Sequence, residues 1–177
     1  PKMDAILKST NVDDTKAVQE ASKNIRILFE TTSLPSEMEE AIIEAYDILD
    51  IEKPNQFETK KGALDILKSA HEKPFVAVRS SATAEDLVDA SFAGQQESFL
   101  NVKGNKDLLL HVRKCFSSLY TARAIYYRTK KGFSHEKTSL CAVVMRMVNS
   151  DKSGVMFSKN PTSAKDSIVI EAVWGLG

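Results

Sequence analysis

Apolar residues set the rhythm of this chain in two different ways. Over Thr15–Phe29 they fall at helical spacing, with Ala17, Val18, Ala21, Ile25, Leu28 and Phe29 on one side and charges between them. The first fourteen residues carry little pattern. Ser36 and Glu39 have the spacing of a capping box behind Pro35. The helix predicted after them presents Met38, Ala41, Ile42, Ala45, Ile48 and Leu49 as its apolar stripe. Pro54 and Asn55 break the pattern, and Ala63, Leu64, Leu67 and Ala70 predict a third helix over about residues 58–72. All three stripes read as core.

Beyond Pro74 the period changes. Phe75–Val78 is a short apolar run, β-branched and aromatic enough for a buried strand, and Gln96–Val102 predicts a second. Gly104-Asn105 reads as a turn and cap before a helix marked by Leu108, Leu109, Val112, Cys115, Phe116 and Leu119. A break is expected at Ser117–Thr121. A further helix should run to Lys131, with Lys130 and Lys131 at its negative end and Gly132 as its stop. Leu140–Val148 is apolar except for Arg146 and predicts a central strand. Asn149–Ser153 is turn chemistry, so Gly154–Ser158 should return as its hairpin partner, and Ile168–Val173 forms the last strand. Helices first, then strands mixed with helices, imply an α+β fold. The expected division is a helical segment over 1–54 and a second domain over 55–177.

Composition narrows the function. The 177 residues carry 24 basic and 24 acidic side chains. That balance gives no electrostatic footprint for nucleic acid, so any anion site must be local. No long uncharged apolar run suggests a membrane span. Cys115 and Cys141 lack metal-ligand spacing and read as reduced core residues of a cytoplasmic protein. His71 and His111 fall on predicted helices and His135 beside Glu136 in a loop, all suited to surface or capping roles.

The chemistry concentrates in 75–102. Arg79 follows an apolar strand, then come the hydroxyls of Ser80, Ser81 and Thr83, and later Ser91-Phe92-Ala93-Gly94 leads into the second strand. Arg presents a planar fork of donors to phosphate oxygens, and glycine lets backbone N–H groups approach an anion. The same residues also admit plainer roles: Arg79 paired with Glu85 or Asp86, and Gly94 in an ordinary turn. Lys152-Ser153-Gly154 would be a second turn able to nest an anion. Met147 and Val148, with Met145, read as core. Glu171, inside an apolar run, is paired, exposed on one face, or functional.

Four words carry a resemblance. Val-Arg-Ser-Ser-Ala-Thr-Ala-Glu-Asp-Leu (78–87), Ala-Ser-Phe-Ala-Gly-Gln-Gln-Glu-Ser-Phe-Leu-Asn-Val (90–102), Gly-Val-Met-Phe-Ser (154–158) and Glu-Ala-Val-Trp-Gly-Leu-Gly (171–177) resemble the nucleotide-binding domain of the phosphoenolpyruvate synthase and pyruvate phosphate dikinase family. The resemblance is good over about 57–177 and poor over the first fifty residues. It implies an ATP-grasp-like subdomain with a mixed or antiparallel sheet. It implies that Arg79 binds ATP polyphosphate and stabilises the transferring group. It places Ser80, Ser91 and the Gly94 loop at the phosphates, with Ser153 and Gly154, and adenine beside Met145, Met147 and Val148. Glu171 is a further candidate from its own setting, as a ribose or metal contact.

The family often has Gln where this chain has Met145, which leaves a backbone contact to adenine but no side-chain amide. Val88 stands where Pro is common. The implied reaction makes phosphoenolpyruvate, AMP and phosphate from pyruvate, ATP and water, through a phosphohistidine on another domain of the same chain. ATP and Mg²⁺ are the implied cofactors, with the metal ligands outside this stretch, and the whole enzyme is expected to be a homo-oligomer. Rifampin phosphotransferase shares this nucleotide half-reaction and is the alternative, as is a nucleotide-binding domain without turnover. Pro1 at one end and Gly-Leu-Gly at the other read as an excised piece, expected to be inactive alone.

Overall fold

The computed structural model describes residues 2–49, 72–82, 86–87, 90–91, 97–135, 138–160, 162–163 and 166–176, with backbone alone at 82, 86–87 and 90–91. The helix expected over 58–72 and the loop holding Gly94 lie outside these residues. Two compact units part at Arg146 and Met147.

The first unit begins with three helices, α1 (Lys2–Ser9), α2 (Thr15–Thr31) and α3 (Ser36–Ile48). α1 is an addition to the sequence reading; its signal is the short i, i+3, i+4 set Met3, Ile6 and Leu7, which packs on the core. α2 starts where Asp14 caps it, its carboxylate accepting from the N–H groups of Lys16 and Ala17 at 2.9 and 3.4 Å. The capping box at Ser36 does not form. Ser36 is already helical, and Pro35 occupies the cap position without a side-chain bond.

The α3 stripe is also displaced. Met38 is 44 % and Leu49 37 % exposed, while Tyr46 is the buried residue of the helix. The Tyr46 hydroxyl donates to the Pro74 carbonyl at 2.7 Å and accepts from the Gly104 N–H at 3.1 Å. One phenol thus ties α3 to the chain leading into the sheet and to the start of the next helix.

The strands of this unit are β1 (Val76–Ala82), β2 (Asp86–Leu87), β3 (Ala90–Ser91), β4 (Ser98–Val102) and β5 (Leu140–Arg146). β1 is the middle of an antiparallel sheet ordered β4-β1-β5, and β2 and β3 pair with each other. Between β4 and β5 lie α4 (Asn105–Ser117), a 3₁₀ turn (Ser118–Tyr120) and α5 (Ala122–Lys131). The break expected at Ser117–Thr121 is this turn. Ser117 and Ser118 are fully buried and bond back to the carbonyls of Lys114 and Cys115, at 2.7 and 2.6 Å, which satisfies their hydroxyls without outside partners. α5 is capped by Thr121 and stops at Gly132, whose φ of +72° is the left-handed conformation that favours glycine.

Two clusters hold the unit together. Tyr46, Val76, Val78, Val102, Leu108, Val112 and Cys115 form one, joining α3 and α4 to the sheet. Val18, Ile25, Leu119, Tyr120 and Ile125 form the other, among the helices. Leu140 packs against both. Tyr46 of α3 thus lies in one cluster with Val76 and Val78 of β1 and Val102 of β4.

The second unit is a two-stranded antiparallel hairpin, β6 (Lys152–Phe157) with β7 (Val169–Trp174). β6 pairs with β7 and not with β5, which corrects the hairpin expected between Leu140–Val148 and Gly154–Ser158. The connection runs from Ser158 to Ile168, longer than the short turn the earlier pairing needed. Across the first rung, the Lys152 ammonium lies 4.7 Å from the centre of the Trp174 ring.

Candidate nucleotide-binding site

Strand alternation decides what β1 offers. Val76 and Val78 enter the core, so Ala77, Arg79 and Ser81 take the opposite face. β5 alternates in step: Leu140, Ala142 and Val144 turn inward, while Cys141, Val143 and Met145 are exposed. Arg79 lies opposite Val143 on one side and Ser98 on the other, and Ala77 lies opposite Met145. An exposed arginine is thus set among a hydroxyl and apolar side chains on the face away from the core. A guanidinium held this way can meet phosphate oxygens bidentately, and the apolar neighbours can cover a flat ring.

Several expectations change here. Arg79 stands within β1 rather than just past its end, because the strand continues to Ala82. Ser80 has the parity of Val78 and is half-buried opposite Ala142, so it does not share a face with Arg79. β5 is a half-exposed strand ending at Arg146, not a buried one reaching Val148. Cys141 is exposed rather than core. Cys115 is buried, and its thiol is pushed up to about 11, chiefly by burial, with Cys141 and Glu97 adding to the effect. Among the described side chains no carboxylate pairs with Arg79; Glu85 and the Asp86 carboxylate lie outside that set.

Ser98 and Val143 had no signal in the sequence, because only the strand register makes them neighbours of Arg79. The register on the β4 side also carries an irregularity between Val76 and Val78. Asn101 takes a φ of +57° there, which lets both Phe99 and Val102 face the core although they are three residues apart.

The remaining expected site residues divide by unit. Ser91 is in β3, paired with Asp86. Gly94 lies outside the described residues. In the second unit, Met147 and Val148 precede β6, with Val148 72 % exposed. Ser153 and Gly154 are strand residues opposite Val173 and Ala172, so the turn nest expected there is not formed. The Ser153 hydroxyl is buried, with no hydrogen-bond partner among the described residues. Glu171 is an exposed residue of β7 opposite Val155.

Gly154 has a structural reason to be glycine. A Cβ built there would stand 2.6 Å from the backbone oxygen of Glu171. The contact is with backbone, so it cannot be relieved by a rotamer change. Gly154→Ala should weaken the β6–β7 pairing by about 1–3 kcal/mol. Hydrogen exchange of the strand amides checks this, and unchanged protection would refute so close an approach.

Residues 1–177 match the model of the family "Pyruvate phosphate dikinase, AMP/ATP-binding domain". The chain belongs to this family. Its domain is ATP-grasp-like, and the α+β architecture agrees with it. The chain is 48 % identical to a probable phosphoenolpyruvate synthase of Methanocaldococcus jannaschii, over 99 % of its own length and 14 % of the relative's. It is 48 % identical to the phosphoenolpyruvate synthase of Pyrococcus furiosus, over 97 % of this chain and 19 % of that one. For the phosphoenolpyruvate synthase of Helicobacter pylori the identity is 41 %, over 99 % and 20 %. The chain therefore spans about a fifth or less of the length of these relatives. The family match extends to residue 1, so the weakly patterned first fifty residues belong to the domain as much as the Arg79 stretch does.

Two further properties bear on chemistry. Among the described residues no group of three or more His, Cys, Asp and Glu side chains is placed to hold a metal ion. Among the same residues no helix is long and apolar enough to cross a membrane.

Proposed function

We propose that this chain is the ATP-binding part of a phosphoenolpyruvate synthase. The full protein would convert pyruvate, ATP and water to phosphoenolpyruvate, AMP and phosphate. Its phosphoryl group would pass from ATP to a histidine on another domain of the same chain. The observation that carries the reading is identity of 41 to 49 % along essentially the whole chain to proteins named phosphoenolpyruvate synthase or probable phosphoenolpyruvate synthase.

Arg79 is the residue proposed to act on the transferring group. Charge develops on phosphoryl oxygens during transfer, and a positioned guanidinium stabilises it. The first unit's exposed face fits a nucleotide in kind: a cation, the Ser98 hydroxyl, and apolar Val143 and Met145. Ser91 and Gly94 are further proposed contacts of this unit. Met147, Val148, Ser153, Gly154 and Glu171 are those proposed for the second, Ser153 on the strength of a buried hydroxyl without a partner among the described residues.

Mg²⁺ would supply charge neutralisation at the phosphates. Its ligands are proposed to lie outside this chain, and no step is derived through it. A cytoplasmic location and a homo-oligomeric full protein complete the proposal.

The test is to incubate the intact protein with ATP and Mg²⁺ without pyruvate. AMP and an acid-labile phosphohistidine are expected. The chain 1–177 alone should yield neither. Turnover to ADP with no phosphohistidine would refute the reading.

A further inference from the structure

Arg128 is the largest fully buried side chain among the described residues, 1 % exposed. Its Nε donates to Nδ1 of His135 at 3.0 Å, and its terminal nitrogen donates to the Leu119 carbonyl. The guanidinium lies 5.4 Å from the centre of the Tyr120 ring, which stacks on Phe29 of α2 at 5.4 Å. One cation therefore joins α5, the 3₁₀ turn, the aromatic pair and the turn after α5.

The tautomer of His135 follows from donor counting. Arginine has no acceptor, so Nδ1 must offer its lone pair and the proton must sit on Nε2. Nε2 lies 3.2 Å from the Thr129 hydroxyl, which donates onward to the Ile125 carbonyl at 3.0 Å. The chain of donors closes only with a neutral ring. A second proton would go to Nδ1 and place an N–H against the Arg128 N–H, with two cations about 3 Å apart.

We propose that Arg128 and His135 form a proton-sensitive latch, fastening the turn that leads from α5 toward β5 to the helical cluster and releasing it when His135 takes up a proton. The chain continues from this turn to Leu140, the first residue of β5, which packs on both cores. β5 carries Val143 and Met145 beside β1, so the latch bears on the strand next to Arg79.

The surroundings of His135 agree. From α5 it faces the Arg128 guanidinium and the Thr129 hydroxyl. Lys130 is taken by Asp13, from the turn before α2. From the 3₁₀ turn comes the Tyr120 ring beneath Arg128. Burial first, and then the Arg128 charge, lower the pKa of His135 from its ordinary 6.5. A histidine held neutral in the fold contributes its stabilisation fully above that ordinary value. The contribution is lost as pH falls from there through the lowered folded value, because the released ring binds the proton more tightly.

The test is hydrogen exchange of the intact protein at pH 7.5 and 5.0, with rates corrected to those of an unstructured chain at each pH. Protection of the amides of Phe133–His135 and of Leu140 should fall by about tenfold per unit by which the pKa is lowered. Amides of β1 and β4 should keep theirs. His135→Gln retains an acceptor for Arg128 but cannot titrate, so its protection should not change with pH. Equal protection at both pH values in the native protein would overturn the latch, as would the same pH response in H135Q. Nitrogen chemical shifts of the native ring give a check that needs no variant. They should show the Nε2–H tautomer and titration below 6.5; an Nδ1–H tautomer, or titration at or above the ordinary value, would overturn it.

Discussion

Arg79→Ala should lower the rate of ATP-dependent phosphohistidine formation in the intact protein by about 10²–10³-fold, or about 2.7–4 kcal/mol of transition-state stabilisation. The size follows from the role. A donor aimed at developing charge acts where water has been displaced, and its removal leaves that charge unopposed. The fold should be untouched, because Arg79 is exposed on the face of β1 away from the core, and Val76 and Val78 on the other face keep their packing. Unchanged thermal unfolding with lost transfer is therefore the expected pair of results. Arg79→Lys should recover little, since a point charge does not reproduce the planar fork. Near-native phosphohistidine formation by Arg79→Ala would remove Arg79 from the mechanism, whatever the family membership.

Tyr46→Ala should cost about 3–5 kcal/mol, the range for emptying a large aromatic site in a core. Tyr46 is 2 % exposed and sits in the cluster with Val76, Val78, Leu108 and Val112. Its hydroxyl also joins the Pro74 carbonyl to the Gly104 N–H. Tyr46→Phe separates the two contributions. It keeps the ring and leaves two backbone groups without their partner, which should cost about 1–3 kcal/mol. Denaturant unfolding of both variants measures the split. A loss below 1 kcal/mol in Tyr46→Ala would mean that α3 is not anchored through this residue.

The contrast between these two residues shows what the chain's pattern could carry. Arg79 is proposed from the sequence because it stands beside an apolar run, among small hydroxyl residues, in words shared with a family. Tyr46 is not. The apolar stripe of α3 pointed to Met38 and Leu49, which are substantially exposed. A helix with apolar residues on more than one side offers several faces, and only packing against β1 and α4 selects one. Ser80 gives the same lesson at the scale of one residue. It follows Arg79 directly in the chain, yet strand parity turns it to the opposite face. Ser153 and Gly154 read as a turn by composition, and pairing with β7 made them strand. What Gly154 satisfies is the approach of the Glu171 backbone, a long-range fact with no local signature.

By itself the sequence determined the α+β class, the helices α2, α4 and α5, the break between the last two, and the stop at Gly132. Each depends on contacts within a few residues: periodicity of apolar positions, a capping side chain, a glycine free to take a positive φ. It also singled out Arg79, through residue types that suit a phosphate. Tertiary structure alone decided which strands pair, which side chains stand beside Arg79, and which face of α3 is buried. It also joined Arg128 to His135 across the end of α5. These depend on groups distant along the chain or on opposite sides of a turn, and their free energy comes from burial and register that exist only once the elements meet.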